Sequence, residues 1–105
     1  YSNEMKIKEL KVKKVSLNKN GAVSYQVAEE MIEGLYKKNK TKLCLSTTGI
    51  AGPGGSTKNK PVGLIFIGIR FNNKNIILKK NFKGTRIQIQ KKCINFILRY
   101  LDKLI

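Results

Sequence analysis

The sequence predicts a small α/β arrangement, and three observations carry that prediction. Apolar residues recur at helical spacing toward both ends of the chain, two apolar runs of strand length lie between them, and a glycine-rich loop follows directly on a short strand. At 105 residues the chain is the size of one domain, residues 1–105, and its 41% apolar content suffices for a core.

In order along the chain, Glu4 to Leu10 reads as a short basic helix, with Asn3 as its N-cap and Glu4 in the first turn, where the helix dipole favours an acid. A polar stretch of Lys, Asn and Ser follows and ends at Gly21. Ser24 caps a second helix, whose Val27, Met31 and Leu35 share one face, with Glu29, Glu30 and Glu33 elsewhere around it. Asn39 to Lys42 breaks this pattern, and Leu43 to Thr48 is a short strand leading into the loop Gly49 to Pro61. Val62 to Arg70 and Asn75 to Phe82 are two further strands joined by Phe71-Asn72-Asn73-Lys74, and the unbroken apolarity of the first predicts burial on both faces. Thr85 followed three residues later by Gln88 is a capping box. Ile87, Ile94, Ile97, Leu98, Leu101 and Ile105 then continue a helix that packs on the sheet.

Composition excludes several chemistries. There is no His, and Cys44 and Cys93 lie far apart with no Cys-x-x-Cys spacing, so zinc-ligand and thioredoxin-like patterns are both missing. Two isolated cysteines fit free thiols in a reducing, cytoplasmic compartment. The longest apolar run, Val62 to Ile69, falls well short of the roughly 20 residues of a membrane-spanning helix, so no membrane association is expected. The chain opens at Tyr1 and not at Met, as a processed or partial form would.

The formal net charge of +16, from 22 Lys and Arg against 6 Asp and Glu, invites a nucleic-acid reading. The cations are 19 Lys and 3 Arg, accompanied by 13 Ile and 10 Asn, all residues with A/T-rich codons. Codon drift raises these together, whereas selection for phosphate contacts would raise Arg as well. The lysines are scattered evenly, and Phe66, Phe82 and Phe96 lie in segments read as core, not interleaved with cations as in a base-stacking surface. No specific nucleic-acid partner is therefore expected, although weak adhesion at low salt follows from charge alone.

The loop Thr48-Gly49-Ile50-Ala51-Gly52-Pro53-Gly54-Gly55-Ser56-Thr57 sits after a strand, where open α/β sheets place their ligand crevice. It is not a Walker-type loop, because no Gly-Lys-Ser/Thr follows. Nor is it the dinucleotide fingerprint, because Gly52-x-Gly54 has no third Gly at position 57. Four glycines between positions 49 and 55 permit positive φ and close backbone approach, at an entropic cost a plain connector need not incur.

This loop, with Lys60-Pro61-Val62-Gly63 after it, closely resembles the signature of the CinA C-terminal domain, the nicotinamide-nucleotide amidase family. Tyr1-Ser2-Asn3-Glu4-Met5-Lys6 is similar to that family's Tyr-Ser-Asn-Glu-Ala-Lys block. Gly21-Ala22-Val23-Ser24 with Val27-Ala28-Glu29-Glu30-Met31 resembles its next helix, and Phe82-Lys83-Gly84-Thr85-Arg86 its Gly-Asp-Arg segment, with Thr85 in place of the acid. The resemblance covers essentially the whole chain. It implies a three-layer sandwich with a mixed sheet flanked by helices, lacking here the family's first helix and strand. It also implies a Glu-Ser-Cys-Thr-Gly-Gly motif ahead of the Tyr-Ser-Asn block, bearing the nucleophilic serine; the sequence contains no such motif.

The implied reaction is hydrolysis of the carboxamide of nicotinamide mononucleotide to the carboxylate with release of ammonia, and it requires no cofactor and no metal. A serine hydroxyl attacks an amide at neutral pH only when a neighbouring base takes its proton, and a partly desolvated lysine can serve as that base. By resemblance the base is Lys6, with Tyr1 relaying or holding the proton. Composition alone makes Lys6 a solvated lysine among 19 and Tyr1 an ordinary interfacial tyrosine. Substrate binding falls to the loop amides of Gly49, Ala51, Gly52, Gly54 and Gly55, to the Thr48 hydroxyl, and to Arg86 at the start of the last helix, where an anion is favoured. Without the resemblance Arg86 is equally a surface arginine in a first turn, and Lys60 has no assigned role.

Three functions compete: this amidase, a catalytically dead remnant that binds a pyridine nucleotide or serves as an oligomeric scaffold, and a basic nucleic-acid-binding module. A sheet without one of its central strands exposes edges and an apolar face, so a homo-oligomer is expected.

Overall fold

A computed structural model of the chain describes residues 2–105; Tyr1, the expected proton relay, lies outside the described residues. The element order is α1 (Asn3–Leu10), α2 (Lys14–Asn20), α3 (Tyr25–Asn39), β1 (Leu43–Gly49), β2 (Leu64–Phe71), β3 (Lys74–Asn81) and α4 (Arg86–Leu104). The strands form one sheet in the order β1-β2-β3, with α3 on one face and α4 on the other. Where a mixed sheet is expected, both pairings among the described residues are antiparallel, Thr47 facing Ile67 and Ile67 facing Leu78.

Register explains the two cores. On β2, Ile65, Ile67 and Ile69 point toward α4 and pack with Ile89 and Cys93, while Leu64 and Phe66 point toward α3 and pack with Ala28. Both faces of β2 are thus buried, as its apolarity predicts. Complete burial of a side chain such as Ile67, Ile69 or Ile89 contributes about 1.5–3 kcal/mol each. A third cluster, Leu10, Val12, Val27 and Met31, fastens α1 to α3. Arg70 ties α3 to the sheet: Nη1 donates to Glu33 Oε1 and to Asn75 Oδ1, both at 2.9 Å, and the guanidinium lies 4.0 Å from the Tyr36 ring centroid.

Several boundaries differ from the sequence expectation, each for a local reason. The cap of α1 is Ser2, whose Oγ accepts from Met5 N at 3.2 Å, so Asn3 is already helical. The polar stretch before Gly21 holds a helix, α2, that buries no residue and has no side-chain cap of its own. Glu30 of α3 caps it from outside, accepting from the Lys13 N–H at 2.7 Å and from the Ser16 hydroxyl. The β2–β3 turn is only Asn72-Asn73, both at positive φ, a tight hairpin that asparagine tolerates. The capping box at Thr85 and Gln88 is present in full.

Candidate functional site

The glycine loop is pinned, not slack. At its base the Ile50 N–H donates to Leu64 O at 2.9 Å and the Gly63 N–H to Ile50 O at 2.6 Å, closing the excursion between β1 and β2. Farther out, Thr57 and Lys60 exchange backbone hydrogen bonds of 2.9 and 3.2 Å. Lys60 also reaches across to donate from Nζ to the Asn20 carbonyl, which ties the loop to the end of α2 and gives this lysine a structural role. Thr48 is buried at the strand end, and its hydroxyl donates to Ala22 O at 2.8 Å. Its proton is therefore committed to the backbone before α3, so the hydroxyl is not free to donate to a ligand. Those two backbone carbonyls, of Asn20 and Ala22, carry no sequence signal, so the loop's anchoring has no local signature in the sequence.

Arg86 is brought onto the loop. As the first residue of α4 it sends Nη1 to Gly52 O at 3.2 Å, so the N-terminus of a 19-residue helix stands beside the glycines. Gly52 has φ +80, a left-handed value that side-chain-bearing residues rarely adopt, and a Cβ there would lie 2.6 Å from a Val62 methyl. The Gly52–Pro53 peptide is cis. Among the described residues, the N–H groups of Ala51, Gly52, Gly54 and Gly55 donate to no protein acceptor, and Gly52 is buried. Gly54 and Gly55 are exposed and Ala51 half-buried, so water can satisfy their N–H groups, whereas a buried amide such as that of Gly52 is almost always paired and, beside a cation, suits an anion or a developing oxyanion.

Lys6 lies on α1, 7% exposed, one turn before Leu10. Burial holds its ammonium below the ordinary lysine pKa of 10.5, the direction a general base requires. Among the described residues β1 pairs with β2 alone, which leaves its other edge open. On the α3 side of that edge a groove of about 300 Å³ runs between Leu10 and Met31 on one hand and Leu45 and Thr47 on the other. On the α4 side a groove of about 410 Å³ runs from Gly49 and Ala51 to Cys93, Ile94 and Ile97. Burial raises the Cys93 thiol pKa, which marks it as a packing residue and not a thiolate nucleophile. No group of three or more metal-ligating side chains occurs among the described residues, and no helix among them is long and apolar enough to cross a membrane.

The family model described as the CinA C-terminal domain matches residues 1–105. A CinA-like protein of Fusobacterium nucleatum is 52% identical over 105 residues, and the chain spans 25% of that protein's length. Among solved structures, a CinA superfamily protein from Escherichia coli superposes with a TM-score of 0.93 at 27% identity, covering 100% of this chain and 61% of that one. The competence/damage inducible protein CihA from Agrobacterium tumefaciens superposes with a TM-score of 0.91 at 31% identity, covering 99% of this chain and 64% of that one.

Proposed function

This chain belongs to the CinA C-terminal domain family, and on that premise we propose that it supplies the substrate-binding loop and the general base of a nicotinamide-mononucleotide amidase. The observation that carries the reading is the set of unpaired loop amides at Ala51, Gly52, Gly54 and Gly55, with Arg86 held against Gly52. In this reading Arg86 and the start of α4 neutralise the substrate phosphate, the amides of Gly49, Ala51 and Gly52 face the carboxamide oxygen as it becomes an oxyanion, and Gly54 and Gly55 let the backbone approach the ligand. Thr48 positions the loop through Ala22.

Lys6 takes the proton of the attacking serine and returns it to the leaving ammonia, and Tyr1 relays it. The serine belongs to the Glu-Ser-Cys-Thr-Gly-Gly motif that the family resemblance puts, after a helix and a strand, ahead of Tyr1. That strand would pair along the free edge of β1, between the two apolar grooves, and so pass α1 on one side and the glycine loop on the other. Two buried free thiols support a reducing, cytoplasmic setting.

The test is ammonia release from nicotinamide mononucleotide by the full-length protein. Arg86→Gln should raise KM about tenfold or more with kcat little changed, because a charge-assisted hydrogen bond to phosphate contributes about 1.5–3 kcal/mol. An unchanged KM would leave Arg86 with only its bond to Gly52.

The scaffold reading has its own support in the same uncovered edge, since Leu45 on β1 and Ile94 in the groove beside it stand exposed. The 105-residue chain is expected to associate through that edge. Sedimentation at micromolar concentration should give a dimer or larger species, and a monomer would contradict this.

A further inference from the structure

We propose that the cleft between β3 and α4, on the opposite flank of α4 from the groove beside β1, binds a condensed phosphate: the di- or triphosphate group shared by free oligophosphates and nucleoside polyphosphates. Lys80, Lys92 and Arg99 line this cleft over a floor of Phe82 and Phe96. The gathering is not an accident of composition at one point of the chain. Lys92, Phe96 and Arg99 are one helical stripe. Lys80 sits opposite Ile65 in the sheet, on the face that Ile76 and Leu78 cover toward α4. An alternating strand would place an apolar residue there, and a lysine stands instead.

Lys92 Nζ donates to the Lys83 carbonyl, but among the described residues no carboxylate forms an ion pair with Lys80, Lys92 or Arg99. The sequence contains no Asp or Glu from position 34 to position 101. Five of the six acids lie at positions 4, 9, 29, 30 and 33, on helices that pack away from α4. The sixth, Asp102, lies on α4 beyond Arg99 and forms no ion pair with it among the described residues. The ion pairs drawn among those residues, Lys38–Glu9 and Arg70–Glu33, are both elsewhere. Like charges around one concavity repel, and a multivalent anion relieves that repulsion.

Size and shape narrow the ligand. The cleft has a volume of about 240 Å³, below the roughly 300 Å³ at which pockets begin to enclose drug-sized molecules. It holds a phosphate chain and leaves any attached nucleoside in solvent. Base stacking is already pre-empted, because Lys80 Nζ lies 4.5 Å from the Phe96 ring centroid and Tyr100 packs against the same ring at 6.0 Å. A single-stranded nucleic acid, which gains from stacking on open aromatic faces, is accordingly disfavoured.

The experiment is calorimetric titration of the full-length protein with sodium tripolyphosphate at fixed ionic strength, with orthophosphate and adenosine triphosphate as comparison ligands. Apart from binding at the glycine loop, which Arg86→Gln removes, one saturable site is expected. Orthophosphate should bind at least tenfold more weakly than tripolyphosphate, and adenosine triphosphate within about threefold of it; a much tighter nucleotide would assign the source as nucleoside polyphosphate. Lys80→Gln and Arg99→Gln should each weaken tripolyphosphate at least tenfold. The double variant Lys37→Gln, Lys74→Gln, which removes charge far from the cleft, should change it less than twofold, and Arg86→Gln should leave it intact, which separates this site from the glycine loop. Equal weakening by the remote double variant, affinity that grows with oligonucleotide length, or absence of a saturable site would each overturn the proposal.

Discussion

Lys6→Met in the full-length protein should lower kcat/KM for nicotinamide mononucleotide by about a thousandfold, the middle of the range for a lost general base. The substitution suits the site, because methionine replaces a buried lysine stem with an apolar chain of similar length and fold stability should hold or rise. A loss of activity without a loss of stability is the signature of chemistry. The pH dependence gives a second readout. Only neutral Lys6 can accept a proton, so kcat/KM should climb with pH through its lowered pKa. Lys6→Met should lose that limb. Linkage gives the matching sign for stability: the folded pKa is depressed below 10.5, so the unfolded chain binds the proton more readily there. Stability contributed by this group therefore rises as the pH climbs from the folded pKa toward 10.5, and Lys6→Met should flatten that slope. A variant with wild-type turnover would remove Lys6 from the mechanism.

Gly34→Ala should destabilise the fold by about 3 kcal/mol, although alanine is ordinarily the better helix former by about 1 kcal/mol. Gly34 lies mid-helix in α3, where the C-terminal turn of α1 crosses it. A Cβ there would stand 1.7 Å from the Leu10 carbonyl oxygen, a backbone atom that cannot step aside without moving α1. The substitution must therefore lift α1 off α3 and loosen the Leu10, Val12, Val27 and Met31 cluster. Because α1 also carries Lys6, activity should fall with stability. Urea denaturation with Lys37→Ala as the exposed helical control measures this; equal midpoints for the two variants would show that α1 and α3 do not meet as described.

What was legible in the sequence is what is encoded locally. The capping box at Thr85 and Gln88, the Ser24 cap and the apolar run of β2 each depend on neighbours a few residues apart, and each appears where it was expected. The misses depend on distant partners. Helix α2 exists because Glu30 supplies its missing cap from seventeen residues away, and no local pattern announces that. Gly34 reads as a weak point in a helix until Leu10 is seen to lie against it. The same holds for the site. The glycine motif and the start of α4 at Arg86 are local signals, but the bond joining Arg86 to Gly52 spans 34 positions of sequence. The evenly scattered lysines argue against a specific nucleic-acid surface, and folding nevertheless brings Lys80, Lys92 and Arg99 to one cleft because strand and helix periodicities coincide there.

The central claim is that the main chain around Gly52 is built to hold a small anionic nucleotide. A crystal structure of the full-length protein with nicotinate mononucleotide, the reaction product, tests it most directly. The account predicts the ligand phosphate within hydrogen-bond reach of Arg86 and at least two of the amides of Ala51, Gly52, Gly54 and Gly55. A product bound elsewhere, with those amides facing solvent, would contradict it.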